Sequence, residues 1–582
     1  VKGPFGHVLR LLLILQITLW LASCQSNQNA PAQISGEPAE NAQERPFFTE
    51  QVESSGVDFV HHNGMYGDYH FPEIMGSGGA LFDFDQDGDM DLYLCQGQSL
   101  SGPPIDHGGG RLYRNDTKPG EAFHFTDVTE AAGIRATRFG IGAASGDIDN
   151  DGFPDLYLLN VDGNQMYRNL GDGRFEDISN LSGTDDDSWS VSATFFDYDR
   201  DGWLDLFVAN YVDYTPESNK TCTQLGRDYC NPQSYNPVPD RLFRNLGNGR
   251  FEDVTAASRI ATDFGNGLGV LSADFDQDGW VDIYVANDGT PNQLWHNLGN
   301  GTFEEVGLLG GSALNLKGIA EASMGVTFGD YDADGDGDLF MTHLRSETNT
   351  LFESQSMNAT TRFKDSTIAA NLATSSRSLT GFGTGWIDAD NDSLLDLLVV
   401  NGSVTALEDL IAAGVPFPYA QPNQFFRNLG GGRFQEAYSF IAQDSGTPAI
   451  SRGALFGDLD NDGDTDVVIS NNHSRPSILR NDVGADANWL GLRLTGTQGG
   501  RDMLGANLVL KTEAGKALLR HVHSDGSFAS ANDPRVIFGL GSDRPKRLEI
   551  TWPDGQRESI PIADSRKWVT IRQGVGLIPP SP

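Results

Sequence analysis

The stretch DFDQDGDMD (83–91) sets carboxylates at alternate positions, then a glycine, then one more carboxylate, and this spacing recurs six times. The copies are Asp83, Asp85, Asp87 and Asp91; Asp147, Asp149, Asp151 and Asp155; Asp197, Asp199, Asp201 and Asp205; and Asp274, Asp276, Asp278 and Asp282. The series continues with Asp330, Asp332, Asp334 and Asp338; Asp388, Asp390, Asp392 and Asp396; and Asp458, Asp460, Asp462 and Asp466. Calcium takes six to eight hard oxygen ligands, so a short loop that holds it must aim several carboxylates at one point. In the first copy the aspartates at positions 1, 3 and 5 do this, Gly88 allows the sharp turn, residue 89 offers a backbone carbonyl and Asp91 closes the site. One copy would pass for an acidic, solvated turn; seven make calcium the expected cofactor. The sixth copy carries Ser393 where the others have glycine, which makes its turn the most strained.

A helix-flanked calcium loop needs a bidentate Glu at position 12. Here that position is Leu94, Leu158, Val208, Val285, Met341, Val399 and Ile469, apolar every time. The residues after each loop alternate with period two, and a short apolar, Gly-containing run such as GGALF or GAASG precedes it. Each unit therefore reads as strand, calcium loop, strand. A second repeat interleaves with the first: MYRNLGDGRFEDI (166–178), LFRNLGNGRFEDV (242–254), LWHNLGNGTFEEV (294–306) and FFRNLGGGRFQEA (425–437) are hairpins with Asn/Gly turns. Two strands from each repeat make a four-stranded antiparallel sheet, and the expected fold is all-β, a seven-bladed propeller with calcium loops. Outer strands led by Phe125, Phe175, Phe251, Phe303, Phe363 and Phe434 number one too few. FFTEQVESSG (47–56) supplies the seventh, pairing near Ile478–Arg480 to close the ring without an exposed edge.

The net charge of −40 argues against nucleic acid and against an anionic membrane surface as partners. Seven divalent ions would reduce it to about −26, so the fold should depend on calcium. Lys2 and Arg10 precede an apolar run, Leu11 to Ala22, that is short for a membrane span and ends in LASC. The expectation is a lipoprotein signal over 1–23, then lipidation at Cys24 and a polar tether over 24–46, anchoring the chain to a membrane. The propeller spans 47–483, and alternating strands over 488–577 read as a small β-rich domain packed on it. Cys222 and Cys230 flank a short insertion and form a disulfide if the compartment is oxidising, while Cys95 follows an apolar strand as a buried thiol.

The arrangement resembles a family grouped around cartilage acidic protein, which joins integrin-α-like FG-GAP (VCBS) repeats to a C-terminal ASPIC/UnbV domain. The resemblance rests on FDFDQDGDMDLYL-type blades, LFRNLGNGRFEDVT hairpins, CNP after the insertion, and FGLG to WPDG near the C-terminus. The chain departs from the family at HVHSDGSFASANDPR, where a Gly-Tyr-Ser-Gln-like run is expected. The resemblance implies an extracytoplasmic, calcium-loaded propeller used mainly as an interaction scaffold.

Two classes of function follow. The first is a non-catalytic calcium-binding lipoprotein, periplasmic or at the cell surface, that binds a protein or glycan through loops made rigid by calcium, so that binding loses less ordering entropy. Trp189, Trp203, Trp280 and Trp386 are sugar-stacking candidates, although packing within blades is the commoner use of such rings. The alternative is a metal-dependent enzyme with a histidine cluster near the propeller mouth, drawn from His61, His62, His70, Glu73, His343, His473, His521 and His523. No Cys/His framework or nucleophile elbow accompanies these histidines, which places the binding module first.

Overall fold

The computed structural model describes residues 46–578, apart from 104–108, 224–225, 357–359, 438, 442–447 and 498. The signal segment, Cys24 and the tether lie outside the described residues. Between Phe48 and Asn481 the described chain forms seven four-stranded sheets. In the first, Gly79–Phe82, Asp91–Leu94, Arg111–Asn115 and Phe125–Asp127 pair in chain order, all antiparallel. The innermost strands are Gly79–Phe82, Gly140–Gly146, Ser190–Phe196, Gly267–Ala273, Val326–Gly329, Gly381–Ile387 and Ser451–Gly457. Each touches the next, and the last returns to the first, so the sheets form a closed ring. The seventh sheet is completed from the other end of the chain: Phe48 lies opposite Asn481, Thr49 opposite Arg480 and Glu50 opposite Leu479. This is the closure expected from the strand count.

Both faces of each sheet are covered by neighbours, so the period-two alternation is apolar on both sides. In the first sheet Leu81 and Leu92 pack with Leu455 and Ile478 of the seventh. Ala80, Phe82 and Tyr93 pack with Leu156 and Leu158 of the second. The four tryptophans serve this packing. Trp189 is buried against Phe71 and Tyr211, and Trp386 forms a triangle of stacked rings with Tyr331 and Phe434. Trp280 lies under the Arg200 guanidinium, and Trp203 faces Gly247. None of the four is fully exposed. Cys95 is buried, and Cys222 is bonded to Cys230 with their Cα atoms 5.2 Å apart.

After Asn481 two further four-stranded sheets form. One contains Asn488–Thr495 paired in parallel with Trp568–Arg572, and the other contains Asn507–Thr512 between Ala517–His521 and Pro545–Thr551. Their core is shared with the ring: Leu490, Leu508, Phe538 and Trp552 belong to one apolar cluster with Leu206 and Phe243 of the third sheet.

The connection between His521 and Val536 does more than pack on the ring; it runs inside it. The Gly526 N–H donates to Val270, the Ser527 N–H to Val326 and the Ala531 N–H to Gly79, while the Ala143 N–H donates to Ala529 and the Leu81 N–H to Ala531. Phe528 is fully buried against Phe382, with centroids 4.9 Å apart. The segment descends from the ends of the inner strands that lead into the aspartate loops, turns at Phe528–Ala529 and climbs back to Asp533, whose N–H donates to Phe456. A side chain at Gly78 would overlap the Ala529 carbonyl, and one at Gly453 would lie 2.7 Å from the Ser530 hydroxyl. The glycines of the inner strands therefore make room for this insert. At the opposite end the helix Pro72–Met75 is buried and the Ile74 carbonyl accepts from Arg452 Nε and Nη2 at 3.1 and 2.7 Å. The axis of the ring is thus filled from both ends.

Candidate functional site

Each calcium-type loop follows an innermost strand and is shaped by its own aspartates. The first carboxylate accepts the N–H of position 6, as in Gly152 to Asp147 at 2.8 Å and Gly279 to Asp274 at 3.0 Å. The carboxylate at position 5 accepts the N–H of position 7, as in Phe153 to Asp151 at 2.9 Å. The closing aspartate joins the loop to the hairpin, because Asp155 accepts from Ile148 at 2.8 Å and from Asn169 at 2.7 Å. Position 6 has positive φ throughout, which suits glycine; Ser393 is held there at +85°.

In the first four loops, oxygens of the first, third and closing aspartates lie within 4.8 Å of one another, as in Asp83, Asp85 and Asp91. Every one of the seven loops also contains a buried carboxylate oxygen without a hydrogen-bond partner: Asp83, Asp149, Asp197, Asp274, Asp332, Asp388 and Asp460 each provide one. An unpaired buried charge is costly unless something neutralises it. Burial, reinforced by neighbouring aspartates, pushes Asp147 and Asp274 up to about 7 and Asp458 up to about 8. Hard, converging, unsatisfied oxygens fit a divalent calcium ion, which would relieve both the repulsion and the missing partners.

Several contributors escaped the sequence reading. The asparagine that ends each RN or HN strand ties neighbouring loops together. Asn169 donates to Phe84 in the preceding loop at 2.8 Å and to Pro154 in its own sheet, and Asn245 does the same with Ile148 and Leu204. Asn115, Asn297, Asn428 and Asn481 repeat the pattern around the ring. The fifth sheet has Ser354 at this position. The recurrence of RN was visible in the sequence, but its partners in another repeat were not. Asp464, at position 7 of the last loop, is buried with one oxygen unpartnered. His296 stands where five of the other hairpins have arginine, 3.2 Å from Asp282 and 3.5 Å from Asp276, and the hydrogen bond to Asp282 raises it to about 9.

The C-terminal sheets cover the loop face and aim cations at the first aspartates. Arg493 reaches Asp83 at 3.2 Å, Arg501 lies 3.8 Å from Asp197, and Arg520 lies 3.9 Å from Asp388. At the seventh loop Arg535 donates to the Asp458 carbonyl at 2.7 Å and Trp568 donates to its carboxylate at 3.1 Å.

The seven histidines of the alternative reading do not share one site. His61 accepts from the His473 N–H at 3.1 Å, and His62 meets the His473 ring edge-on. His70 instead pairs with Tyr214 at 2.6 Å, and His343 faces Glu321. His521 and His523 stack on each other in the C-terminal segment, bonded to Ser272 and Asp525. Burial lowers His61 and His343 to about 3 and His521 to about 4, so these rings are neutral. The closure of the ring brings His61, His62 and His473 together, whereas His70, His343 and the His521–His523 pair each sit among other partners.

Comparison with known proteins bears on this architecture. Residues 83–158, 147–208, 231–285, 274–341 and 407–469 match the FG-GAP-like repeat, and residues 496–577 match the ASPIC and UnbV domain. Cartilage acidic protein 1 of Xenopus tropicalis is 26% identical over 331 residues, covering 54% of this chain and 46% of that protein. The Homo sapiens protein is 26% identical over 319 residues, covering 53% and 44%. The match thus spans a little under half the length of these curated relatives. Among solved structures, an Agrocybe aegerita lectin that recognises non-reducing terminal N-acetylglucosamine is 15% identical with a TM-score of 0.35, covering 62% of this chain and 79% of its own. YCF48 bound to a D1 peptide is 9% identical with a TM-score of 0.37, covering 71% and 93%.

Proposed function

Because the chain belongs to the FG-GAP-like repeat family and carries an ASPIC and UnbV domain, we propose that it is a calcium-binding interaction scaffold that works outside the cytoplasm. Calcium in the seven loops stiffens one face of the ring, the C-terminal sheets rest on that face, and the opposite face is presented to a protein or glycan ligand. The observation that carries this reading is the buried, unpartnered carboxylate oxygen in each loop. The Asp series from Asp83 to Asp466 supplies the ligands, with the sixth loop the weakest because of Ser393. A disulfide between Cys222 and Cys230 suits an oxidising compartment, and LASC, ending in Cys24, suits attachment of the chain to a membrane, periplasmic or at the cell surface, through lipid on Cys24.

The test has two parts. Chelation should lower the melting temperature by many degrees and calcium should restore it, since a ligand bound only by the folded state stabilises that state. Cys24→Ser should abolish lipid labelling and release the protein from membranes. Melting that ignores chelator would contradict calcium binding, and unchanged fractionation of Cys24→Ser would contradict the anchor.

A further inference from the structure

At the end of the ring away from the calcium loops, three segments distant in sequence enclose a cavity of about 410 Å³. They are the approach to the first sheet, the disulfide insertion and the excursion between the sixth sheet's second and third strands. Four aromatic rings line it. Tyr69 and Tyr229 have centroids 5.2 Å apart at 58°, Tyr229 and Tyr419 6.0 Å at 59°, and Phe417 and Tyr419 4.7 Å at 62°. Each ring is turned steeply from its neighbour, which makes a cage rather than a flat platform.

One carboxylate in the lining is unspent. Glu73 is 1% exposed; its Oε2 accepts from Tyr229 at 3.2 Å and its Oε1 is buried without a partner. The other lining acid, Asp228, is saturated by the Tyr229 N–H, the Tyr419 hydroxyl and the Ala406 N–H. Arg227 gives its donors to the Gly67 and Asp68 carbonyls and lies 5.1 Å over the Tyr69 ring, so this cage already accepts a cation on one of its walls.

We propose that the cavity binds the ammonium group of a small organic cation, with Glu73 as counter-charge and the faces of Tyr69, Tyr229, Phe417 and Tyr419 as the cage. A neutral ligand would bring no counter-charge to the buried Glu73 carboxylate, and a sugar would gain most from a flat ring platform. Burial holds Glu73 at about 7, and an incoming ammonium would stabilise its charged form. The strongly acidic chain also concentrates cations at its surface. This goes beyond the scaffold reading by adding a small-molecule site on the same free face.

Titration calorimetry on the full chain in calcium tests it, with choline as probe and its neutral isostere 3,3-dimethylbutan-1-ol as control. Choline should bind, and the isostere should bind at least about tenfold more weakly. Glu73→Gln should weaken choline by at least about tenfold while leaving the melting temperature in place; if that variant melts lower, Phe417→Leu, which keeps apolar bulk but removes a ring, should show the loss instead. No heat with choline, equal binding of the isostere, or parent-like binding by a well-folded variant would overturn the proposal. Calcium-dependent melting is indifferent to all three results, so the scaffold reading stands or falls separately.

Discussion

At the scale of single residues, the repeats are held by groups that look incidental in the sequence. Asn245 is buried and bridges two backbone carbonyls, Ile148 and Leu204, that belong to adjacent sheets. Asn245→Ala leaves both without that amide, and stability should fall by about 3 kcal/mol in urea unfolding with calcium present. A change below about 1 kcal/mol would mean that the link carries little. Ser393 points the other way. Its backbone sits at φ +85°, so Ser393→Gly should stabilise the protein by about 1 kcal/mol, read in the same experiment. A destabilised Ser393→Gly would show that the Lys516–Ser393 hydrogen bond outweighs the strain.

At the scale of elements, strands and loops were legible because their signals are local and repeated. Alternation around Leu156 and Leu158 marked a strand, and the spacing from Asp147 to Asp155 marked the turn before it. The loops also imply a pH signature. Without metal, burial holds Asp83 at about 6, Asp147 and Asp274 at about 7 and Asp458 at about 8, all above their unfolded values near 4. A carboxylate whose pKa rises on folding favours the fold below its unfolded pKa and loses that contribution as pH climbs through the folded value. Chelated protein should therefore melt higher at pH 5 than at pH 8 in differential scanning calorimetry, and calcium should rescue the pH 8 sample most. Equal chelated melting at the two pH values would remove the electrostatic basis of calcium dependence. The pairing of Phe48–Glu50 with Ser477–Asn481 gives a second test. A chain starting at residue 46 should melt like the parent, whereas one starting at 57 loses the closing strand and should aggregate or lose cooperativity. Parent-like melting of the shorter chain would refute the closure.

At the scale of the whole molecule, the sequence was silent where contacts are long-range and unrepeated. HVHSDGSFASANDPR stood out only as a departure from a family pattern, yet its residues Ser527 to Ala531 occupy the axis of the ring. Nothing periodic announces a loop whose partners lie about 75 to 450 residues upstream on several inner strands. The cage around Glu73 was hidden for the same reason, since its walls come from three excursions. One consequence is that ring and C-terminal sheets should unfold together. Phe528→Ala should cost about 3–5 kcal/mol and lower a single calorimetric transition for the whole chain. Two separate transitions, with only one displaced, would show that the segment does not couple the parts.

The proposed calcium in the seven loops is the central claim, and counting it is the most direct check. Metal-stripped protein titrated with calcium at pH 7.5, with elemental analysis of the saturated sample, should reach about seven ions per chain, with melting temperature rising alongside occupancy. Protein that retains no calcium after gel filtration and melts identically with and without it would contradict the central claim.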